Sequence, residues 1–200
     1  KPGPRLRVLV ANVSSWAAAW RGLLADDASI WCLQEARIPA DAAVAACADA
    51  RGRGFALIPG ERAGGEHLLA FAHRQGAAYL RAHPMQGLPE SARGRLQYAV
   101  VHLGRRRALH IVQVYGRADG GRAAADENAA LVLSAAAWLR SLGDVPALIV
   151  GDFNLVMAEV GVEAPLAMAG WADVLAQAGP TCLPSNGAAS RIDYVIASRP

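Results

Sequence analysis

The spacing of apolar and polar positions predicts strands and helices that alternate along the whole chain. Short apolar runs at 6–10, 30–33 and 147–150 are typical of strands buried in a sheet. Segments 97–103 and 108–115 predict a β-hairpin. Further strands are predicted at 55–58, 67–72 and 191–196, and helices at 16–24, 39–50, 122–142 and, as a short turn, 171–177.

Polar residues follow three of the predicted strands, at the point where each strand ends. Asn12 follows the first strand, Glu35 the second, and Asp152 and Asn154 the central one. If the backbone stays extended, Asp152 and Asn154 lie on one side of the chain. Open α/β sheets bind ligands at the carboxyl ends of their strands, and two converging carboxylates suit a hard cation such as Mg²⁺. Taken one at a time, these residues are equally typical of ordinary strand-to-loop turns.

Hairpins mixed with long helices predict an α/β fold with two layers of sheet and helices packed outside. We find no internal repeat and no linker between 1 and 200, so we expect a single domain. Residue 1 is a lysine and no signal-peptide pattern is visible, so we expect the chain to be a piece of a longer protein.

Composition excludes several classes of protein. Hydrophobic residues make up 54% of the chain, but no apolar stretch is long enough to span a bilayer. The three cysteines are widely spaced and form no Cys-x-x-Cys pair, which argues against a disulfide scaffold or zinc site and for a reducing compartment. A net charge of +3, carried almost wholly by arginine, is compatible with a polyanionic partner.

Several motifs resemble those of the endonuclease/exonuclease/phosphatase superfamily in their order and spacing. They are Leu-Gln-Glu at 33–35, Val-Tyr at 114–115, Gly-Asp-Phe-Asn at 151–154 and Arg-Ile-Asp-Tyr at 191–194, with Asn12 after the first strand. Tyr115 is similar to the branch that includes apurinic/apyrimidinic and non-LTR retrotransposon endonucleases. The resemblance implies the deoxyribonuclease-I-like fold, a four-layered α/β sandwich with two mixed β-sheets packed face to face and helices on the outside.

The resemblance also implies a Mg²⁺-dependent phosphodiester hydrolase, an endonuclease domain from a longer, retroelement-type protein. Mn²⁺ is an alternative ion. The partner would be nucleic acid, DNA rather than RNA, with no membrane and no obligate protein partner. By resemblance, Glu35 holds the metal ion, and the catalytic residues are Tyr115, Asp152, Asn154 and Asp193. The residues that contact substrate would be Asn12, Asn154 and Arg117.

Arginines near the hairpin are candidates for contacts with phosphate groups. Arg117 follows Tyr115, and Arg93 and Arg95 precede the hairpin. Salt-dependent binding with little sequence preference is expected from such contacts. The arginines of the hairpin tip, at 105–107, are interpreted as solvated surface.

The chain departs from the superfamily pattern at its last motif. Members carry a Ser-Asp-His strand that supplies an aspartate and the catalytic histidine, and nothing after Asp193 matches it. All five histidines lie upstream, so we expect little or no activity from these 200 residues alone. The alternative is a catalytically inactive relic or a nucleic-acid-binding module with the same fold. A lipid or inositol phosphate substrate is a secondary option, and Tyr115 counts against it.

Overall fold

A computed structural model describes residues 6–75, 79–103, 107–118, 121–183 and 187–199. In this part of the chain two β-sheets pack face to face and helices cover their outer faces, as the four-layered prediction requires. Sheet 1 has the strand order β1-β2-β5-β3, with β4 paired to β5. Its strands are β1 Val8–Asn12, β2 Ile30–Pro39, β3 Phe55–Pro59, β4 Arg62–Ala63 and β5 Glu66–Arg74.

Sheet 2 has the strand order β10-β11-β9-β8-β7-β6. Each sheet is mixed, because β1 runs parallel to β2 and β8 runs parallel to β9, while the other pairs are antiparallel. The strands are β6 Tyr79–His83, β7 Leu96–His102, β8 Ala108–Tyr115, β9 Ala147–Asp152, β10 Trp171–Asp173 and β11 Asp193–Ser198.

Helices cover both outer faces. Trp16 and Ala50, from α1 and α2, belong to the core that backs sheet 1, and Ser15 caps α1 by accepting the Ala18 N–H at 3.2 Å. The long helix α3 backs sheet 2 through buried residues such as Leu131 and Leu139. The helices are α1 Trp16–Ala25, α2 Ala43–Gly52, α3 Gly121–Ser141, α4 Met157–Val160 and α5 Glu163–Met168. Within the described residues, none of these helices is long and apolar enough to cross a membrane.

A third apolar layer lies between the two sheets. It contains residues from both sheets: Ile30, Cys32, Phe71, Leu80, Ala99, Val101, Ile111 and Val150. Since side chains of a strand alternate between its two faces, each strand supplies this layer with one set of residues and the outer cores with the other. The layer ends where the strands reach their polar residues.

Local predictions failed where tertiary pairing decided the structure. The helix predicted at 39–50 is present, but its predicted start is wrong, because Pro39 ends β2 opposite Glu66 and α2 begins only at Ala43. The helical turn predicted at 171–177 is also wrong, since Trp171 is buried in a strand paired to β11. Strand β6 was not predicted from the sequence. The hairpin tip at 104–106 lies outside the described residues.

Candidate functional site

Three strands end and a fourth begins with polar residues at one end of the inter-sheet layer. In β9, Leu148 and Val150 pack in that layer, and Asp152 is the next residue on the same face. By the same alternation, Asn12 at the end of β1 and Tyr115 at the end of β8 lie on the strand faces that pack between the two sheets. Pairing then fixes their positions, because Asp152 is the register partner of both Tyr115 and Asp193.

Glu35 reaches the site through a bulge in β2. The register with β5 shifts between Gln34 and Ile38, and Glu35 and Arg37 have φ values of 52° and 43°. Such left-handed backbone is unfavourable for residues other than glycine, and bulges of this kind re-aim side chains. The prediction that Glu35 lies near Asp152 assumed a simple strand end, whereas the bulge is what turns its carboxylate towards the site.

Asn12 joins the carboxylates of the two sheets. Its Nδ2 group donates to Glu35 Oε1 at 2.8 Å and to Asp152 Oδ2 at 3.0 Å. Glu35 belongs to sheet 1 and Asp152 to sheet 2, so a single amide bridges the mouth of the inter-sheet layer. The structure therefore brings these three predicted residues into direct contact.

Glu35 is held in its ionised form. Partial burial works against the charge, but hydrogen bonds from Asn12 and Tyr115 and the nearby Arg37 guanidinium outweigh it and lower the pKa of Glu35. Arg37 donates to Glu35 Oε2 at 2.7 Å. Arg37 was not among the predicted site residues, and its position two residues after Glu35 was the available signal.

Asp152 has the opposite electrostatic environment. Only 4% of the residue is exposed, and this burial, helped by the charges of Asp193 and Glu35, raises the pKa of Asp152 to about 6. Hydrogen bonds from Asn12 and from the Asn154 backbone N–H, at 3.1 Å, oppose the rise. A carboxylate with a pKa near neutral pH is suited to accepting and returning a proton.

Tyr115 and Asp193 complete the polar end of the layer. Burial and the neighbouring Glu35 carboxylate raise the pKa of Tyr115 to about 12, so its phenol is neutral and serves as a hydrogen-bond donor. The pKa of Asp193 is also raised by burial, against the hydrogen bond from Thr181 and the charge of Arg191.

The loops after Tyr115 and Asp152 are tied together. The Gly116 N–H donates to Asp152 O at 2.8 Å, and a Cβ atom at residue 116 would lie only 2.1 Å from Phe153 O. Asn154 adopts φ 48° and donates from Nδ2 to Gly116 O at 3.2 Å. A glycine at position 116 is thus required by the close approach of the two loops.

Asn128 of α3 holds both loops from behind. Its side chain is fully buried; it accepts the Arg117 N–H at 2.7 Å and donates to Arg117 O at 3.0 Å and Asn154 O at 3.1 Å. Asn128 was not among the predicted site residues. The available signal was an amide three residues before Leu131, on the buried stripe of a helix.

The predicted arginines differ in what they contact. Arg117 pairs with Glu127 at 2.5 Å, and Arg93 pairs with both Glu61 and Glu90 at 2.9 Å. Arg95 donates to Gly116 O at 3.0 Å, and its guanidinium lies 5.0 Å from the centre of the Tyr115 ring. Of these three, Arg95 makes the contact with Tyr115.

A cavity of about 240 Å³ opens beside the site, and Arg117, Asn154 and Ile192 contribute to its wall. A larger cavity of about 440 Å³ is lined by residues such as Pro59 and Tyr98 and, among the predicted residues, by Arg93 alone. The smaller cavity is the one whose position suits a substrate group.

None of the five histidines joins the site. His67 and His73 contact the backbone oxygens of Gly60 and Arg74, and His110 contacts the Tyr98 hydroxyl at 2.6 Å. His83 and His102 are register partners of Tyr98 and Tyr79 in sheet 2. The expectation that no upstream histidine replaces the missing one agrees with these positions.

The donor atoms at the site are hard oxygens, which is the ligand type that Mg²⁺ prefers. Among the described residues, no group of three or more His, Cys, Asp or Glu side chains is placed to hold an ion by itself. Mg²⁺ is commonly bound through one or two carboxylates, with water and substrate phosphate as the other ligands. The residue types present fit that open mode of binding rather than a closed cage.

The Endonuclease/Exonuclease/phosphatase family matches residues 6–200. A 3′ phosphatase from Neisseria, solved with a product DNA hairpin, is 18% identical with a TM-score of 0.73, over 97% of this chain and 87% of that one.

Two further structures show the same fold at low sequence identity. An AP endonuclease from Archaeoglobus fulgidus is 15% identical with a TM-score of 0.72, over 97% of this chain and 87% of that one. The endonuclease domain of a telomere-specific non-LTR retrotransposon is 18% identical with a TM-score of 0.67, over 96% and 84% respectively. No curated protein sequence matches significantly.

Proposed function

Since this chain belongs to the Endonuclease/Exonuclease/phosphatase family, we propose that it is a Mg²⁺-dependent phosphodiester hydrolase acting on nucleic acid as an endonuclease. The observation that carries the proposal is the pair of carboxylates joined by Asn12. The pKa of Glu35 is lowered, while burial raises the pKa of Asp152 to about 6. Environments that separate two acids in this way assign them different chemical roles.

Each residue has a task that its environment supports. Glu35, ionised, would hold the metal ion, and the ion would neutralise charge on the phosphoryl oxygens. Asp152 accepts a proton from the attacking water, since its pKa lies close to neutral pH. Asn12 joins the two carboxylates by donating both of its Nδ2 hydrogens to them, and one of these hydrogens would turn to the phosphate when substrate binds. The neutral Tyr115 phenol donates its one hydrogen to Glu35 in this structure, and it would turn this hydrogen to the phosphate or leaving oxygen when substrate binds.

Contacts with nucleic acid would involve the residues beside the cavity. Asn154 and Arg117 both line the cavity of about 240 Å³, which supports their proposed role in holding substrate. Arg95, beside Tyr115, adds positive charge at the same edge. DNA is the proposed partner, and the Neisseria phosphatase of similar fold was solved with a DNA hairpin. Origin in a retroelement-type protein is part of the same proposal.

A second candidate, an inactive relic or binding module, is favoured by one observation. Asp193 has a Thr181 hydroxyl beside it rather than an imidazole, and the five histidines contact other groups. A general acid or base contributes about 10²–10⁴-fold to rate. Slow hydrolysis by these 200 residues is therefore the expected result.

The deciding experiment is cleavage of plasmid and abasic duplex DNA by the purified chain, with Mg²⁺ and with EDTA. We expect weak, Mg²⁺-dependent cleavage that Asp152→Ala abolishes. Asp144→Ala is the matched control, because that exposed aspartate precedes β9, at its opposite end. DNA binding without any cleavage that depends on Asp152 would instead support the binding module.

A further inference from the structure

Three buried glutamines separate the apolar inter-sheet layer from the site. Gln34, Gln97 and Gln113 are 0%, 6% and 0% exposed. By strand alternation Gln113 continues the face of Ile111, and Gln34 continues the face of Cys32, both of which belong to the apolar inter-sheet layer. Towards the site, this layer therefore changes from hydrocarbon to amides and then to ionisable groups.

The amides form a continuous hydrogen-bonded chain, called here the glutamine ladder. Gln34 Nε2 donates to Gln113 Oε1 at 3.0 Å, and Gln113 Nε2 donates to Gln97 Oε1 at 2.6 Å. Gln97 Nε2 then donates to Ile58 O at 3.0 Å. Gln34 and Ile58 belong to sheet 1 and the other two to sheet 2, so the ladder crosses between the sheets twice.

Backbone carbonyls set the direction of every amide in the ladder. Ile58 O can only accept, so the amino group of Gln97 must face it and its oxygen must face Gln113. The same logic orients Gln113 and then Gln34, whose Nε2 also donates to Cys32 O at 3.2 Å. The ladder thus has a single hydrogen-bonding arrangement and tolerates no slippage of one sheet against the other.

A contribution to the stability of the fold does not explain why glutamines occupy these three positions. Gln34 Oε1 is buried and has no hydrogen-bond partner within the described residues, which is an unfavourable state for a polar atom. Apolar side chains at the same three positions would extend the existing core of Ile111 and Phe71 without that cost. Buried polar networks of this kind specify one arrangement at the expense of stability.

We propose that the glutamine ladder positions Glu35 against Tyr115. Gln34 immediately precedes Glu35, Gln113 lies two residues before Tyr115, and the Glu35–Tyr115 hydrogen bond joins the same two sheets. The ladder sets the distance and register of the sheets directly beneath that bond. Gln34, Gln97 and Gln113 are therefore positioning residues for the site.

The consequence for catalysis rests on the proposed function. Replacing Gln113 with leucine removes the central link, and a displacement of the order of 1 Å at a reacting centre costs roughly 100-fold in rate. We expect Gln113→Leu to lower kcat by roughly 10- to 100-fold and to leave KM nearly unchanged. Val112→Ala, on the adjacent residue that faces α3, is the matched control and should lower stability while retaining kcat.

The decisive test does not need activity. The coupling between Glu35 and Tyr115 is measured from urea unfolding of Glu35→Ala, Tyr115→Phe and the double variant, in EDTA. The cycle is then repeated in the Gln113→Leu and Val112→Ala backgrounds. We expect the coupling to be lost with Gln113→Leu and kept with Val112→Ala.

Other outcomes overturn the proposal in distinct ways. If the coupling between Glu35 and Tyr115 survives Gln113→Leu, the ladder does not position these residues and is an ordinary buried cluster. If the wild-type background shows no coupling, there is no interaction between Glu35 and Tyr115 for the ladder to position. If Gln113→Leu does not fold, Gln97→Met, at the outer end of the ladder, takes its place with the same criteria. Failure of the hydrolase proposal would appear separately, as an inactive wild type with an intact coupling that depends on the ladder.

Discussion

Asp152→Asn should make the metal-free protein more stable at neutral pH while it removes the proposed general base. Burial raises the pKa of Asp152 from 3.8 to about 6 in the folded chain. An acid with a raised folded pKa stabilises the fold fully below its unfolded value and loses that contribution as the pH rises through the folded value. At pH 7 the ionised Asp152 carboxylate therefore destabilises the folded state.

The size of the effect follows from two opposing contributions. A shift of about 2 pKa units corresponds to about 3 kcal/mol of folding free energy, and with 4% of the residue exposed little of it is screened by solvent. The new amide has one oxygen, so it keeps only one of the hydrogen bonds that Asn12 and the Asn154 N–H make to the carboxylate. Losing the other costs about 1 kcal/mol. The net gain at pH 7 is about 2 kcal/mol.

The assay is urea unfolding in EDTA at pH 7 and at pH 4, with Asp144→Asn as the exposed control. The advantage of Asp152→Asn should be present at pH 7, shrink between pH 6 and 4, and vanish or reverse at pH 4, where the wild-type carboxyl is protonated. An advantage that is equal at both pH values, or absent at pH 7, would refute the argument that burial of this charge destabilises the fold.

Three further changes test the surroundings of the site. Gly116→Ala should destabilise the chain by about 1–3 kcal/mol or prevent folding, because its Cβ would lie 2.1 Å from Phe153 O; a wild-type unfolding midpoint would contradict this. Asn128→Ala should cost about 1–3 kcal/mol, since three hydrogen bonds to loop backbone are lost, and amide exchange should report loosening of both loops. Arg95→Glu should weaken binding to a short DNA duplex more than Arg93→Glu, because Arg93 is already paired with two glutamates. Binding by the wild-type chain should weaken as the salt concentration increases. Equal effects of the two charge reversals would exclude the Tyr115 edge as the phosphate contact.

Much of the fold follows from local patterns that the sequence displays directly. The apolar run before Asp152, the alternation in the 97–103 and 108–115 segments, and the periodic stripe of α3 each reflect burial of one face or of both. Strand ends could also be located, because polar residues follow the apolar runs. These features depend on neighbours a few residues apart, which a sequence contains in full.

Motif order extended this local information to the family. Leu-Gln-Glu, Gly-Asp-Phe-Asn and Arg-Ile-Asp-Tyr indicated the superfamily and its two-sheet architecture, which the family match and the fold confirm. The roles of the individual site residues stay predictions. Their meeting at one end of the inter-sheet layer, however, agrees with where the strand ends were expected.

Only the tertiary structure decided how the site is assembled. The Asn12 bridge and the glutamine ladder join residues 16 to 140 positions apart, and no periodicity encodes such separations. The bulge that turns Glu35 towards the site likewise has no local pattern. Trp171 lies in a strand because β10 pairs with β11, although the local pattern predicts a helical turn. The raised pKa of Asp152 likewise arises from burial between two sheets, a property of their packing that the residues around Asp152 do not display.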